Sequence, residues 1–435
     1  MTRRIGWFLA PRARVGVAGP ARSLLVGFLG VALAACGAVA PTADRVPLSE
    51  PTISSATVRP TIVPIPGHEV YGFVPYWEMD DSIVDHVGGT DLTTLALFSV
   101  THRRDGELDD SQNGHRRISG DIGRRLARAA QDRGTRVELV YTSFGPDKNR
   151  QFYTEPEAQA RWIEVLVELV DELGLDGVNV DVERLHAEHL LDYGAFVGRL
   201  REALRARLPE AQVSVATQAN ELGAGMAAAA AEAGADRIFL MGYDYHWAGS
   251  DPGASAPIDR LDGEPRDLVW SLDLYGALGV PVDRTILGLP LYGMTWPVIG
   301  PGVGSPSTGR GDTWVPRWNL PTFADPSFAP MLEPIQSVEF YSQPIPGASS
   351  ASPGSGATSG AAASGGASAS QSVIEPEPGW NAVYYDSPRS LTPKLLLADE
   401  RGLAGAGFWA IGYERGVPGY TELISTFRAG DLKAP

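Results

Sequence analysis

Cysteine is almost absent from this chain: Cys36 is the single one in 435 residues. One cysteine cannot pair within the chain, which excludes a disulfide-stapled scaffold. Positive charge is also in short supply, with 36 Lys and Arg against 52 Asp and Glu, a formal net charge of −16. A surface that acidic repels phosphate backbones, so a nucleic-acid partner is not expected and a neutral or cationic one fits better. Histidine is sparse too. The seven His are scattered, His186 and His189 lie beside a helical stretch, and no cluster has metal-ligand spacing. Hydrophobic runs are short. Leu24 to Ala35 has the length of a signal-peptide core and falls well below a membrane span. The chain is nevertheless 43% apolar, enough for a sizeable core, which excludes wholesale disorder.

What positive charge exists is concentrated at the start. Arg3, Arg4, Arg12, Arg14 and Arg22 precede the apolar run with no acid among residues 1–36. The run closes on Leu33-Ala34-Ala35-Cys36-Gly37, which resembles the bacterial lipobox, in which small residues admit the signal peptidase and the Cys thiol takes a diacylglycerol. An ordinary secretory signal would share the basic and apolar parts, and Arg3-Arg4 is a faint twin-arginine feature. Residues 1–36 are therefore expected to be a lipoprotein signal with lipidation at Cys36, and the mature protein to sit outside the cytoplasm on a lipid anchor. Residues 37–66 hold Pro41, Pro47, Pro51, Pro60, Pro64 and Pro66 among Ser, Thr and Ala, the composition of an extended spacer. A second biased tract, 347–372, is almost entirely Gly, Ala and Ser and has no large side chain to bury, so it reads as a disordered loop.

From residue 67 to about 430 short β-rich runs alternate with helical ones. The runs are Val70–Pro75, Thr93–Ser99, Arg136–Thr142, Asp176–Glu183, Gln212–Thr217, Arg237–Tyr243, Thr285–Leu291 and Gly405–Ile411. Between them, Trp162, Val165, Leu166, Leu169, Val170 and Leu173 recur at helical spacing up to a stop at Gly174, and Tyr193, Phe196, Val197, Leu200 and Leu204 repeat the stripe up to Pro209. Arg266–Gly279 and Leu391–Gly402 are weaker examples. Eight strands alternating with helices imply an α/β fold, a (β/α)8 TIM barrel. A doubly wound sheet would alternate similarly, but no glycine-rich phosphate loop follows the first strand. The long stretch between the seventh and eighth strands, 297–385, is an insertion that contains the Gly/Ala/Ser tract.

The segment Asp176-Gly177-Val178-Asn179-Val180-Asp181-Val182-Glu183 carries the chemistry. On a strand Asn179, Asp181 and Glu183 share one face and the three valines the other. In a barrel the valines pack against helices and the polar series points inward, with Glu183 at the C-terminal end, where barrel enzymes place their sites. A half-solvated strand or a calcium site would use the same residues.

The segment resembles the DGxDxDxE signature of glycoside hydrolase family 18, the chitinase family. Met241-Gly242-Tyr243-Asp244 is similar to its MxYD motif. Gly288-Leu289-Pro290-Leu291-Tyr292-Gly293 and Gly405-Ala406-Gly407-Phe408-Trp409 are similar to its seventh and eighth strands, and Thr142-Ser143-Phe144-Gly145 is a partial SxGG. The resemblance implies a retaining hydrolase of β-1,4-linked N-acetylglucosamine glycans, either chitin or peptidoglycan, with N-glycans a third option. In that reading Glu183 protonates the leaving oxygen, the substrate's own acetamido oxygen attacks, Asp181 holds the acetamido N–H, and Tyr243 fixes the attacking carbonyl. Asp244 would orient the cluster, and Trp409, Met241, Tyr76, Trp77 and Ser143 would contact the sugar. Of the remaining aromatics, Trp247, Trp296, Trp314, Trp318 and Trp380 each suit the cleft or the core equally. The sequence departs from the signature at Asn179, where the family has an acid. An amide there is expected to donate a permanent hydrogen bond to Asp181 and keep it ionised. No cofactor is implied, and a monomer is expected. The alternatives are a chitinase-like lectin, which would lack the terminal Glu, and a two-lobed solute-binding lipoprotein.

Overall fold

Eight strands of β-branched and apolar residues pair in parallel and close on themselves. A computed structural model of the chain describes residues 67–345 and 379–433. The barrel strands are β1 (Glu69–Pro75), β2 (Thr94–Val100), β3 (Arg136–Phe144), β4 (Gly177–Glu183), β5 (Gln212–Gln218), β6 (Arg237–Met241) and β7 (Thr285–Pro290). Five strands of the insertion follow: β8 (Gly293–Val298), β9 (Asp312–Trp314), β10 (Met331–Glu333), β11 (Val338–Pro344) and β12 (Trp380–Tyr385). Then β13 (Gly405–Trp409) completes the barrel between β7 and β1. The expected (β/α)8 architecture is present, with the eighth barrel strand separated from the seventh by a second, antiparallel sheet in the order β10-β11-β12-β8-β9. That sheet starts directly after β7, four residues earlier than the sequence suggested. The signal-like segment, Cys36, the Pro-rich stretch and the Gly/Ala/Ser tract lie outside the described residues.

Helices cover the outside of the barrel. The predicted helix ending at Gly174 spans Pro156–Leu173, and Gly174 takes φ +68°, a left-handed conformation that costs a residue with a Cβ but not glycine. The second stripe forms Leu190–Arg207. Side-chain caps fix other helix starts: Asp80 accepts from Ile83 N at 2.9 Å, Asn220 from Gly223 N at 2.9 Å and Asp267 from Trp270 N at 2.8 Å. Against these helices Val178, Val180 and Val182 of β4 are at most 1% exposed, each burial contributing about 1.5–3 kcal/mol.

The lumen is a separate cluster. Tyr71, Phe73, Ala96, Phe98, Val140, Ala216, Phe239 and Ile286 fill it from β1, β2, β3, β5, β6 and β7, with Met241, Tyr243 and Trp409 closing the top. Phe239 fits because its neighbours are glycines: a Cβ at Gly288 would come within 2.3 Å of its ring and one at Gly407 within 2.6 Å. The insertion is bound to the barrel by charge. Arg317 pairs with the buried Glu78 and, at 3.0 Å, with Asp80, while Arg415 from the loop after β13 reaches both at 2.5 and 2.7 Å.

Candidate active site

Lateral register decides which side chains meet. Asp181 on β4 pairs with Thr142 on β3 and Ala216 on β5, Asn179 with Val140 and Ser214, and Glu183 with Phe144. The inward series on β4 therefore rises from Asn179 and Asp181, both buried, to Glu183, which is partly exposed at the C-terminal mouth. The chain turns sharply just beyond two of these groups. Arg184, next after Glu183, and Asp244, next after Tyr243, adopt φ of +62° and +63°, conformations that non-glycine residues rarely hold. The peptides Phe98–Ser99 and Trp409–Ala410 are cis.

The electrostatics tie Asp181, Glu183, Tyr243 and Asp244 into one cluster. Burial, followed by the charge of Asp244, raises Glu183 to about 7, with Arg184 opposing. Burial first and Glu183 second hold Asp181 well above the ordinary carboxyl range. The Tyr243 hydroxyl is raised by burial and then by the charges of Asp181, Asp244 and Glu183. That hydroxyl makes no hydrogen bond among the described residues and is free to donate to a ligand. Asp244 is exposed as a residue, yet its carboxyl group accepts from the Tyr292 hydroxyl, and burial pushes it up. Tyr292 in turn accepts from Ser255 Oγ at 3.3 Å.

Aromatic rings form the floor and one wall. Trp409 stands edge-on to Phe98 at 4.8 Å and to Trp77 at 6.4 Å. Trp77 is 42% exposed and donates its indole N–H to the Tyr413 hydroxyl at 3.1 Å, and Tyr76 packs against it at 4.9 Å. Met241 is partly buried at the top of the lumen cluster. Of the remaining aromatics, Trp247 and Trp318 are half exposed, Trp247 beneath the Arg310 guanidinium, whereas Trp296 and Trp314 are buried.

Two expectations need correction. Ser143 does not face the cleft. It follows the inward Thr142, so alternation turns it outward, where it is fully buried and donates to Asn149 Oδ1 at 2.6 Å. Its influence on the site is indirect, since Asn149 Nδ2 donates to the Glu183 carbonyl at 2.7 Å. Nor does the Asn179 amide donate to Asp181. Its Nδ2 donates across to Ser214 Oγ at 2.8 Å, the residue that register sets beside it. Three groups at the mouth were missed. Gln218 Nε2 lies 3.4 Å from Glu183 Oε2, Phe144 is 44% exposed above Phe98, and Tyr292 holds Asp244. Extending the β3 and β5 alternation by one or two residues past the predicted strand ends would have found the first two. Among the described residues no group of three His, Cys, Asp or Glu is placed to hold a metal ion, and no helix is long and apolar enough to cross a membrane.

With this geometry in hand, similarity to known proteins is decisive on one point. The family model for glycosyl hydrolases family 18 matches residues 71–414. The chain belongs to that family. Curated relatives include a putative sporulation-specific glycosylase YdhD of Bacillus subtilis (strain 168), 25% identical over 47% of this chain and 46% of its own. Another is a probable chitinase 2 of Drosophila melanogaster, 27% identical over 40% and 33%. The matches thus span less than half the length of these two relatives. Among solved structures, the spore cortex-lytic enzyme SleL of Bacillus cereus superposes with a TM-score of 0.61 at 17% identity, covering 83% of this chain and 74% of that one. The family 18 chitinase of Cycas revoluta in complex with (GlcNAc)3 gives 0.64 at 16% identity, covering 84% and 100%. These superpositions establish that the family 18 barrel is the fold of this chain.

Proposed function

We propose that this family 18 member is a retaining hydrolase of β-1,4-linked N-acetylglucosamine glycans, acting by substrate assistance. The observation that carries the reading is one cluster at the barrel mouth: the partly exposed Glu183, its carboxyl raised to about 7, follows the buried Asp181 on the inward face of β4 and shares the site with the unengaged phenol of Tyr243. A general acid must hold a proton near working pH and release it in the transition state, which a carboxyl in that range does. Glu183 protonates the glycosidic oxygen. The substrate's acetamido oxygen attacks the anomeric carbon, and the resulting oxazolinium ion is opened by water that Glu183 then deprotonates. Asp181, ionised at that stage, holds the acetamido N–H and offsets the positive charge, and Tyr243 donates to the attacking oxygen, both preorganised in a water-poor cleft. Trp409 and Trp77 offer flat faces to pyranose rings. No step requires a cofactor.

Chitin and peptidoglycan both supply the 2-acetamido group, and the proteins named above include two chitinases, a putative sporulation-specific glycosylase and a spore cortex-lytic enzyme. Hydrolysis of a chromogenic chitobioside by wild type and Glu183→Gln tests the reaction, with product analysis on chitin oligomers and on purified peptidoglycan to separate the substrates. A wild type that binds these glycans without cleaving them would make the protein a lectin and overturn the proposal. The sequence around Cys36 supports a lipid anchor outside the cytoplasm, tested by loss of fatty-acid labelling in Cys36→Ser.

A further inference from the structure

Below the catalytic cluster lies a carboxyl that the mechanism above does not use. Glu138 interrupts the apolar run of β3, faces the lumen and is 0% exposed. Its Oε2 accepts from the Tyr71 hydroxyl at 2.6 Å and from Ser214 Oγ at 2.5 Å. Ser214 Oγ accepts in turn from Asn179 Nδ2 at 2.8 Å, and the Tyr71 hydroxyl lies 3.1 Å from it. Ser214 thus bridges Glu138 to the residue one step below Asp181 on the inward face of β4.

The acceptors do not balance. Glu138 Oε1, Asn179 Oδ1 and Asp181 Oδ1 are all buried without a hydrogen-bond partner among the described residues. Buried polar atoms are nearly always satisfied, and neither unengaged phenol nearby, Tyr193 or Tyr243, is hydrogen-bonded to any of the three, so these acceptors call for a proton, because a carboxyl that takes one becomes a donor. Two ionised carboxylates in one closed lumen would also be costly. The charged and titratable groups around Glu138 are Tyr71 of β1, Arg136 on its own strand, and Asp236 and Arg237 at the start of β6, where Arg237 is paired with Glu69. Those around Asp181 are Glu183, Tyr243 and, from the covering helix, Tyr193. The inward faces of β2, β7 and β13, which carry residues such as Ala96, Phe98, Ile286, Gly288, Gly407 and Trp409, include no acid or base.

We propose that Glu138 is a positioning residue for Asp181: the two carboxyls share one proton across the Ser214–Asn179 bridge, and the proton's location sets which way the Asn179 amide faces. With the proton on Asp181, ionised Glu138 accepts from Ser214 and Tyr71, Ser214 accepts from the Asn179 nitrogen, and the Asn179 carbonyl is left for the Asp181 O–H. The hydrogen bonds that link Glu138, Tyr71, Ser214 and the Asn179 nitrogen are those of this arrangement. With the proton on Glu138, every bond in the bridge reverses. Glu138 donates to Ser214, Ser214 donates to the Asn179 carbonyl, and a half-turn of the amide brings its nitrogen to the Asp181 carboxylate. One O–H bond breaks at Asp181 and one forms at Glu138, so neither charge nor proton count changes. The second arrangement supplies the ionised Asp181 that the reaction uses, and this part of the inference rests on the proposed mechanism. In this chain the second acid of the pair stands on β3 instead of at position 179.

Full-length protein carrying 13C-labelled Asp and Glu carboxyls reports the ionisation of Asp181 directly by NMR, in wild type, Glu138→Gln and Ser214→Ala. The neutral amide that Glu138→Gln introduces can donate to Ser214 and so holds the bridge in the second arrangement. Asp181 is then expected to ionise at a pH at least about one unit lower than in wild type, a tenfold change in its proton affinity. Ser214→Ala frees the Asn179 nitrogen for Asp181 and removes a donor from Glu138, so it moves the titration in the same direction. The acid limb of the pH profile for chitobioside hydrolysis should shift with it. An Asp181 titration that stays in place or rises in either folded variant overturns the proposal. If wild type hydrolyses none of the glycans, the proposed function fails, and the carboxyl titration still decides this inference.

Discussion

Glu183→Gln separates the electrostatic cost of the acid from its chemistry. Folding raises the Glu183 pKa from 4.5 to about 7. Between those two values the folded protein binds the proton more tightly than the unfolded chain, so stability falls as pH rises through that window and levels off above it. At about 1.36 kcal/mol per unit, the loss approaches ~3 kcal/mol above pH 7, an upper bound because the group keeps some contact with water. Gln has the same shape and no charge to lose. The variant should melt at the same temperature as wild type near about pH 4 and several degrees higher near about pH 8, read by circular dichroism in parallel melts. The same substitution should lower kcat by at least about 100-fold, the contribution of a general acid. A melting gap that is equal at both pH values, or a wild type more stable than the variant at the higher one, would refute the assignment of Glu183 as a carboxyl destabilised by its burial.

Tyr243→Phe deletes only the free hydroxyl and should reduce kcat on a chitobioside by about 10²- to 10³-fold with little change in melting temperature, as expected for a donor that acts in the transition state. Asn149→Ala removes the donor to the Glu183 carbonyl and leaves the buried Ser143 hydroxyl with only the His102 ring, whose Nε2 lies 3.2 Å away. Denaturant unfolding should show a loss of about 1–3 kcal/mol together with reduced kcat. Lys394→Met strands Asp386, whose buried ion pair with Lys394 measures 2.5 Å, and should destabilise the protein by roughly 3–5 kcal/mol; adding Asp386→Leu should recover most of it.

The parts of the site that follow from one strand alone were readable before the fold was known. Alternation along β4 put Asn179, Asp181 and Glu183 on one face, and Gly174 marked the end of the preceding helix. The same alternation applied to β3 already separates Thr142 from Ser143, but motif similarity alone assigned Ser143 to the sugar. The partner of Asn179 was not readable, because it depends on how β4 and β5 align, and nothing local to Asn179 announces Ser214. Glu138 left a trace that went unused: a lone acid among Val137, Leu139, Val140 and Tyr141. The insertion showed only as excess length, since β9 and β10 are three residues each and too brief to display a period.

The edges of the β11–β12 pair carry a practical consequence. Pro344 lies opposite Trp380, and Ile345 N donates to Gly379 O at 3.1 Å, so the chain leaves the sheet and returns to it at hydrogen-bonded neighbours. Whatever joins those two points need only close a gap already closed by the ladder, and the entropy of doing so grows only with the logarithm of its length. Residues 346–378 are accordingly the place to splice in an affinity tag, a fluorescent reporter or a carbohydrate-binding module, leaving the barrel and its mouth in register.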